Sequence, residues 1–367
     1  MHVAVEASKL LRDRRGIGRY VRMLLRTIVQ VQPDIRFTLY VRDQGDARAL
    51  REELVRLEVA DHCEFALARA MSGTDADVAW YPWSWIPHTA RNAAMVVTIH
   101  DLVPMLKLDH RRWRLYKRWK YRRRFRKTVA SAHGILAVSE FTASEITRLL
   151  HVERDQVRVV PPGVDEFLVA SGIAGAAVDH LVPAGPFFLS VGAHDRRKNL
   201  EVLFDGMARL QARGERAELV LCGPGDGLAR YPQAGRAPWL RWVGYVSDAE
   251  LAALYRRATA LVFPSRYEGF GLPALEAMAA GGCVVCADAS SLPEVTGNAA
   301  LRFPPDDAGA LAEQLSRLLH DPEMRAILIA RGKLQAARFE WRQTARQTVE
   351  GFEAAIVARW SGRDRRR

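Results

Sequence analysis

Short apolar runs with the length of buried strands alternate with helix-like segments along nearly the whole sequence. The first series is Val3–Val5, Phe37–Val41, Val78–Tyr81, Met95–Ile99, Ile135–Val138 and Val157–Val160. The second series is Phe187–Val191, Leu219–Cys222, Trp242–Val246, Leu261–Phe263, Val284–Cys286 and Leu301–Phe303. Strands that alternate with helices form parallel sheets with helices on both faces. The pattern therefore predicts an α/β fold with two doubly wound, Rossmann-like domains.

The domain boundaries follow from the gap between the two series. A chain of 367 residues is too long for one typical core. Residues 169–186 are rich in Ala and Gly and show no clear periodicity, so we predict a linker there. The predicted domains are residues 1–168 and 187–340, and a last helical segment, 341–367, follows them. Ligands of such sheets bind at the carboxyl ends of the strands, so we expect the site in a cleft between the domains.

Composition and cysteine content narrow the class of protein. A hydrophobic content of 49% and a charged content of 26% are typical of a globular protein. No apolar run reaches the roughly 18–20 residues that span a bilayer, and the N-terminal segment resembles a strand and not a secretory signal. A cytoplasmic location is therefore expected.

Cys283 and Cys286 are spaced as in a zinc or redox motif, but they lie in an apolar segment without a second ligand pair. We interpret them as buried thiols.

One stretch, Ala260–Ala280, combines several groups that bind polar ligands. An apolar strand and a turn lead to the glycine-rich loop Glu268–Leu272, and Pro273 is well placed to open a helix. Glu276 then lies about one turn into that helix. Glycines let the backbone approach a ligand closely, and a helix N-terminus attracts phosphate. A ligand with both hydroxyls and phosphates, such as a nucleotide-sugar, would use all these groups.

Glu268 and Glu276 flank seven residues that begin with Gly-Phe-Gly-Leu-Pro. This stretch resembles the E-x7-E signature of retaining glycosyltransferases with the GT-B architecture, and more narrowly family 4 of those enzymes. The alternative is a strand–loop–helix turn whose glutamates are only solvated. The resemblance extends over nearly the whole chain, and it implies that the last helical segment, 341–367, crosses back to pack on the N-terminal domain. It implies that Glu268 holds hydroxyls of the donor sugar and Glu276 the ribose. It also implies that backbone amides stabilise the departing nucleoside diphosphate, those of Gly269, Phe270, Gly271 and Leu272.

A glycine loop follows the first strand. Gly16 and Gly18 begin an incomplete dinucleotide fingerprint, because Val21 occupies the position of the third glycine. By itself this segment predicts only a turn. It resembles the first-domain glycine loop of the family, which borders the donor phosphate and the acceptor. The resemblance places Gly16 and Gly18 near the donor and Arg19 and Tyr20 near the acceptor.

The pair His100–Asp101 closes the strand Met95–Ile99, where both side chains can enter the cleft. Such a pair at a strand end is often structural. The resemblance implies that His100 lies against the donor sugar. There it would bind a hydroxyl and stabilise the charge that develops at the anomeric carbon, while Asp101 orients the acceptor.

A basic turn follows the first strand of the second domain, after Gly192, which the resemblance places near the donor. Many relatives carry an arginine directly after this glycine, but this chain has Ala193. We therefore assign the phosphate role to Arg197 and Lys198, whose charges would stabilise a diphosphate leaving group. A solvated basic turn is the alternative. Asn199 is a plausible N-cap for the next helix.

Another strand end, Trp242–Val246, precedes a capping box formed by Ser247 and Glu250. The resemblance implies that backbone around Val246 meets the nucleobase. Backbone contacts do not distinguish GDP from UDP.

Nearly all of the net charge of +12 lies in residues 107–127, which hold twelve Lys or Arg and one Asp. Aromatic residues are interleaved with these cations. A nucleic-acid groove is one explanation, but no nucleic-acid motif accompanies it. A solvated helix face is another. We favour a surface that binds anionic lipid, with aromatics at the headgroup level.

The combination of Gly-Ile-Gly-Arg-Tyr, Thr98-Ile-His-Asp-Leu and Arg-Lys-Asn resembles bacterial mannosyltransferases and related transferases of surface-polysaccharide assembly. This resemblance implies a retaining hexosyltransferase that uses GDP-mannose and extends a glycan or a lipid-linked glycan. We expect no cofactor and no metal, since no acidic metal cluster is evident, and no nucleic-acid partner. The enzyme would be cytoplasmic and peripheral on the inner face of the membrane. A UDP-hexose or GDP-deoxyhexose donor remains an alternative. So does a sugar-nucleotide epimerase, and, more remotely, a nucleic-acid-binding protein.

Overall fold

A computed structural model describes residues 1–13, 16–106, 113–164, 178–192, 196–224, 231 and 237–364. The chain divides into two compact units. Unit 1 comprises Met1–Gly163 and Glu340–Arg367, and unit 2 comprises Val164–Phe339. The chain thus passes between the units at residues 163–164, slightly before the predicted linker, 169–186. Half of that linker, residues 169–177, lies outside the described residues.

Unit 1 is built on a seven-stranded parallel sheet in the order β3-β2-β1-β4-β5-β6-β7. The strands are β1 (His2–Glu6), β2 (Arg36–Val41), β3 (Cys63–Leu67), β4 (Val78–Tyr81), β5 (Ala94–Ile99), β6 (Gly134–Ala137) and β7 (Val157–Val159). All six strands of the first predicted series are found. The sequence analysis missed β3, an edge strand in which Glu64 interrupts the apolar residues and most side chains are only partly buried.

Helices cover this sheet. They are α1 (Ile17–Val31), α2 (Gln44–Arg56), α3 (Trp113–Ser131), α4 (Glu140–Leu150) and a C-terminal helix, Trp341–Asp364. The C-terminal helix packs against α1, β5 and β6 and belongs to unit 1. Its Phe352 is buried, with its ring centroid 5.8 Å from that of Trp80 on β4.

Unit 2 is built on a six-stranded parallel sheet in the order β10-β9-β8-β11-β12-β13. The strands are β8 (Phe187–Val191), β9 (Glu218–Cys222), β10 (Leu240–Gly244), β11 (Ala260–Phe263), β12 (Val284–Ala287) and β13 (Leu301–Phe303). The helices are α5 (Leu200–Ala212), α6 (Asp248–Arg257), α7 (Leu272–Ala279), α8 (Leu292–Thr296), α9 (Ala308–His320) and α10 (Pro322–Ala336). The strand predicted over 242–246 ends earlier, at Gly244, which has φ 70° and turns the chain away.

Both sheets are doubly wound, as predicted. In unit 1 the strand order reverses between β1 and β4, and in unit 2 it reverses between β8 and β11. Loops that leave the carboxyl ends of two such strands diverge to opposite faces, which opens a crevice for ligands. The functional residues of each unit are therefore expected beside these two pairs of strands.

Two local predictions have different outcomes. Ser247 and Glu250 form the predicted capping box at the start of α6. Asn199 precedes α5 as predicted, but its side chain makes no capping hydrogen bond, because the residue is left-handed (φ 56°). The prediction of N-capping by the Asn199 side chain is therefore wrong.

The cysteines are buried free thiols, as predicted. Burial raises the pKa of Cys283 to about 11 and that of Cys286 to about 12. Both thiols are therefore protonated and unreactive near neutral pH. No helix among the described residues is both long and apolar enough to cross a bilayer.

Candidate active site

The centre of the site in unit 2 is a buried carboxylate held by two cations. Arg197 and Lys198 lie in one turn of 3-10 helix between β8 and α5, and Glu268 lies in the loop after β11. Arg197 Nη1 donates to Glu268 Oε2 at 2.8 Å, and Lys198 Nζ donates to Oε1 at 2.7 Å. Glu268 is 7% exposed. The fold thus brings together three residues that the sequence analysis had assigned to the site from two distant motifs.

The loop around Glu268 is fixed by two serines that follow β12. The backbone N–H of Glu268 donates to Ser290 Oγ at 3.0 Å, and its carbonyl accepts from Ser291 Oγ at 3.0 Å. Ser291 is fully buried, and its single hydroxyl proton is shared between this carbonyl and that of Phe270. The sequence analysis missed both serines, because nothing in their local pattern indicates a contact more than twenty residues away.

The charge of this cluster suits an anion. Two cations and one carboxylate leave a net charge of about +1, and charge-assisted hydrogen bonds are the strongest that side chains form. Each carboxylate oxygen carries two acceptor sites, so Glu268 can accept further hydrogen bonds while it holds both cations. The cluster can therefore bind a phosphate and a hydroxyl at the same time.

Asn199 joins two loops beneath this cluster. Its side-chain amide donates to the carbonyls of Pro264, at 3.1 Å, and Pro305, at 2.6 Å. Asn199 is buried and follows Lys198 directly. It therefore ties the basic turn to the loops after β11 and β13.

Gly192 lines a small pocket at the carboxyl ends of β8, β9 and β11. The pocket is lined by Ser190, Val191, Gly192, Lys198, Leu200, Leu221, Cys222, Phe263, Pro264 and Ser265. Gly192 has φ 131°, and a Cβ on Gly223 would lie 2.3 Å from its carbonyl oxygen. Glycine at both positions lets the loops after β8 and β9 approach each other closely. The predicted location of Gly192 near the ligand is compatible with this geometry.

The glycine loop leads into α7. Gly271 has φ 111°, and α7 begins at Leu272, with Pro273 in its first turn. Phe270 packs edge to face against Phe339, with centroids 5.5 Å apart, and is buried. Its ring therefore belongs to the core of unit 2, and only its backbone remains for the predicted contact with a donor.

Glu276 lies one turn into α7, and a residue of the preceding helix fixes its carboxylate. The hydroxyl of Tyr255, on α6, donates to Glu276 Oε2 at 3.0 Å. Tyr255 is fully buried. Since it lies twenty-one positions before Glu276, no local motif in the sequence indicates this contact.

Val246 follows β10 and precedes the capping box of α6. Its side chain is buried, while the neighbouring Tyr245 is exposed. This arrangement leaves the backbone of Val246 as the group for the predicted nucleobase contact.

In unit 1, His100 follows β5, and its ring is fixed by the turn after β4. Nε2 lies 2.9 Å from the carbonyl oxygen of Pro82, and the backbone N–H of His100 donates to Ser84 Oγ at 3.0 Å. A carbonyl only accepts, so Nε2 carries the proton and Nδ1 is an acceptor. Burial lowers the pKa of His100 from 6.5 to about 4. The imidazole is therefore neutral at physiological pH.

Tyr20 lies behind His100 and not at the surface. It is 2% exposed, and its ring meets that of His100 edge to face at 4.9 Å and packs near Trp341 at 5.8 Å. Burial raises the pKa of its hydroxyl. The expectation that Tyr20 contacts the acceptor therefore needs correction, because the ring belongs to the core and supports His100.

The glycine loop of unit 1 has a structural basis. A Cβ on Gly18 would lie 1.6 Å from the carbonyl oxygen of Asp13, so only glycine lets that segment cross the start of α1. Gly16 has φ 61° and is exposed, and Arg19 is partly buried. The buried Arg22 also holds this segment, since Nη1 donates to the carbonyl of Asp13 at 2.7 Å. The sequence analysis missed Arg22.

Asp101 is partly buried and stabilises its own loop. Its Oδ1 accepts from the backbone N–H of Val103 at 3.0 Å. The role of Asp101 toward an acceptor stays a prediction.

The basic segment contains α3, which has two faces. Phe125 and Thr128 are buried, whereas Tyr116 is 68% and Trp119 56% exposed. The rings of Tyr116 and Trp119 stack at 6.2 Å, and the Arg123 guanidinium lies 5.7 Å from the Trp119 ring. Residues 107–112 lie outside the described residues. Helix α3 therefore presents aromatic rings and cations together on one outward face.

The chain forms two doubly wound units. In unit 2, a carboxylate held by two cations lies where the strand order reverses, and a second carboxylate lies on the next helix. These features define a two-domain α/β enzyme for a ligand that carries phosphates and hydroxyls. In the part of the chain that is described, no group of three or more His, Cys, Asp or Glu has the arrangement of a metal site.

Comparison with known proteins identifies the family. The model described as "Glycosyltransferase Family 4" matches residues 14–166, and that described as "Glycosyl transferases group 1" matches residues 179–335. The O-antigen chain mannosyltransferase B of Escherichia coli is 32% identical over 74% of this chain and 73% of its own length. The chain belongs to glycosyltransferase family 4 and is a glycosyltransferase with the GT-B architecture, as predicted.

Two further comparisons agree with this family. A serotype-specific mannosyltransferase, WbdA, of Escherichia coli is 30% identical over 70% of this chain, which spans 33% of the length of that relative. The structure of a sucrose-phosphate synthase from Thermosynechococcus elongatus superposes with a TM-score of 0.75 and 21% identity, covering 98% of this chain and all of that one. The latter similarity supports the fold.

Proposed function

We propose that the protein transfers mannose from GDP-mannose to a hydroxyl of a glycan or lipid-linked glycan, with retention of the anomeric configuration. The observation that carries the proposal is the contact of Arg197 and Lys198 with Glu268, beside the strands where the order of the unit 2 sheet reverses. The names of two relatives, both mannosyltransferases, support mannose as the sugar. We infer that the nucleoside diphosphate of such a donor is GDP.

Each residue of the unit 2 site has a role in this reaction. The bond between the anomeric carbon and the phosphate oxygen breaks, and negative charge develops on the leaving diphosphate. Arg197 and Lys198 stabilise that charge, as do the amides at the start of α7, because preorganised charges act most strongly where charge develops. Glu268 accepts hydrogen bonds from sugar hydroxyls, and Glu276 accepts from the ribose.

The acceptor oxygen forms the new bond to the anomeric carbon on the face that the phosphate leaves. Its proton passes to the departing phosphate oxygen, so no protein base is required. His100 accepts a hydrogen bond from a sugar hydroxyl at Nδ1. Its low pKa keeps the ring neutral, and a neutral ring does not repel the positive charge that develops on the sugar. The alignment of donor and acceptor supplies much of the rate.

Helix α3 supports a peripheral association with the membrane. Its outward face combines exposed aromatic rings with Lys and Arg side chains, and such a surface suits anionic headgroups. We propose that the enzyme acts at the cytoplasmic face of the membrane, where it reaches a lipid-linked acceptor. No nucleic-acid partner is part of this proposal.

A donor screen of the purified protein tests the proposed function. Release of nucleoside diphosphate is measured for GDP-mannose, GDP-deoxyhexoses and UDP-hexoses, with and without a mannoside acceptor. We expect acceptor-dependent release from GDP-mannose and an α-linked product. A faster reaction with a UDP-hexose would contradict the donor, and conversion of a donor without acceptor would indicate an epimerase.

The same assay tests the expectation that no metal is needed. Transfer should continue in excess EDTA, because cationic side chains, and not a metal ion, would stabilise the diphosphate. Loss of transfer in EDTA that Mg²⁺ or Mn²⁺ restores would contradict this part of the mechanism.

A further inference from the structure

Two cations from distant parts of unit 1 meet at one indole ring. Lys9 Nζ lies 3.9 Å from the centroid of the Trp85 ring, and the guanidinium carbon of Arg124 lies 4.0 Å from the same centroid. Lys9 also lies 5.7 Å from the ring of Trp83. All three distances are in the range of cation–π interactions. Lys9 belongs to the loop after β1 and Arg124 to α3, so the tertiary fold alone creates this cluster.

Lys9 and Arg124 bring two positive charges to the cluster. Among the described residues of unit 1, the salt bridges join other side chains: Arg22–Glu53, Arg42–Asp43, Arg148–Glu145, Arg154–Glu140 and Arg158–Glu350. Burial lowers the pKa of Lys9, a shift that Glu6 and Asp13 oppose and Arg124 increases. Glu6 is itself buried, and burial raises its pKa. A bound anion would relieve the repulsion between the two cations.

The cluster lies beside His100, at the reversal of strand order in unit 1. Trp85 follows Ser84 in the turn after β4, and the backbone N–H of His100 donates to Ser84 Oγ at 3.0 Å. Trp83 Nε1 donates to the carbonyl of Glu6, the last residue of β1, at 2.8 Å. The cations are thus fixed to the carboxyl edge of β1 and β4, where a ligand of this unit is expected.

We propose that Lys9 and Arg124 bind a phosphate group of the acceptor, with Trp85 holding both side chains in place. A phosphate suits the cluster because it presents several acceptor oxygens, which the Arg fork and the Lys ammonium can bind together. The ring restricts both long side chains before binding, which reduces the entropy lost when the anion binds. The inference rests on the proposed function, since it assigns a phosphate-linked acceptor to the same enzyme.

The position of Arg124 on α3 suits a phosphate that lies between sugar and lipid. The same helix carries the exposed Tyr116 and Trp119. An acceptor whose sugar lies near His100 and whose lipid remains in the membrane would place its phosphate linkage between them. In this proposal, one end of α3 contacts the membrane surface and Arg124 contacts the acceptor itself.

Two acceptors without a membrane test this assignment. Both are mannosides with the same short alkyl chain, one joined through a phosphodiester and one through a simple glycosidic bond. We expect the wild-type protein to show a KM at least about tenfold lower for the phosphodiester, since hydrogen bonds to charged groups are strong. The double variant Lys9→Gln/Arg124→Gln should lose this preference and keep its KM for the neutral acceptor.

The matched control is Arg122→Gln/Arg126→Gln, which removes the same charge from exposed positions of unit 1. It should keep the preference for the phosphodiester. Equal KM values for both acceptors in the wild-type protein would overturn the proposal. The proposal would also be overturned if Lys9→Gln/Arg124→Gln kept the preference for the phosphodiester but lost binding to anionic vesicles. The two cations would then bind lipid headgroups.

Calorimetric binding of the two mannosides separates this inference from the proposed function. If the enzyme transferred no sugar, the proposed function would fail. The assignment of Lys9 and Arg124 would still be supported if the phosphodiester bound more tightly than the neutral mannoside to the wild-type protein and not to the double variant. Equal binding of both mannosides would refute it.

Discussion

Lys198 Nζ lies 2.7 Å from Glu268 Oε1, although the two residues are seventy positions apart in the sequence. The contact joins the loop after β8 to the loop after β11, across the point where the strand order reverses. Arg197 donates to the other oxygen of the same carboxylate. The basic turn and the glycine-rich loop therefore form a single functional unit.

Removal of the Lys198 charge should act mainly on turnover. We expect Lys198→Ala to lower kcat on the order of 10²-fold, since the charge that it supplies matters most when the diphosphate leaves. Arg197 would still hold Glu268, which limits the effect on folding. Arg196→Ala, in the same turn, is the control and should change kcat little. A change in donor KM alone would contradict the role of Lys198.

The hydroxyl of Tyr255 should act through Glu276. Tyr255→Phe keeps the buried ring but removes the donor to Glu276 Oε2, so the carboxylate loses its fixed orientation. We expect the donor KM to rise about three- to tenfold, with kcat nearly unchanged, because a ribose contact is similar in the ground and transition states. Glu276→Ala should show the same pattern with a larger rise. A fall in kcat at constant KM would contradict this assignment.

The buried His100 should make the protein less stable in acid. Its pKa falls from 6.5 to about 4 on folding, so the unfolded state binds more protons between these pH values. The free energy of unfolding should therefore decrease as the pH falls from about 6.5 to about 4, by at most about 3 kcal/mol. Urea unfolding across this range should show a smaller decrease in His100→Gln. His133→Gln is the comparison, since burial also lowers the pKa of His133. An unchanged decrease in His100→Gln would contradict the prediction.

The amide of Asn199 should contribute to stability through its two donors. Asn199→Asp replaces a donor to two carbonyls by a carboxylate that only accepts, so it should destabilise unit 2 by several kcal/mol. Asn199→Gly removes the same hydrogen bonds but suits the left-handed backbone (φ 56°). Asn199→Gly should therefore lower the free energy of unfolding, measured in urea, by less than Asn199→Asp does. Equal stability of Asn199→Asp and the wild-type protein would show that these bonds contribute little.

The outward cations of α3 should control binding to membranes. Each Lys or Arg near an anionic surface contributes about 1 kcal/mol. Arg122→Gln/Arg123→Gln/Arg126→Gln should therefore weaken co-sedimentation with anionic vesicles on the order of 100-fold at low salt. The triple variant Arg209→Gln/Arg213→Gln/Arg216→Gln removes the same charge from unit 2 and should bind normally. If the wild-type protein did not bind anionic vesicles, the outward face of α3 would not be a membrane-binding surface.

The sequence by itself determined the elements and the local chemistry. Apolar periodicity predicted twelve of the thirteen strands in the described part of the chain, because the period of a buried segment depends on its own residues. The spacing of Glu268 and Glu276 and the capping box at Ser247 are likewise local, and both could be predicted. The edge strand β3 was missed because Glu64 interrupts its short apolar pattern.

The tertiary structure alone decided which residues meet. Glu268 holds Arg197 and Lys198, Tyr255 orients Glu276, and Tyr20 is buried behind His100. These contacts join loops and helices far apart in the sequence, and they depend on strand order and on the packing of neighbouring elements. Local patterns report the periodicity of each segment but not its neighbours in space, so they could identify candidate residues and could not assign their partners.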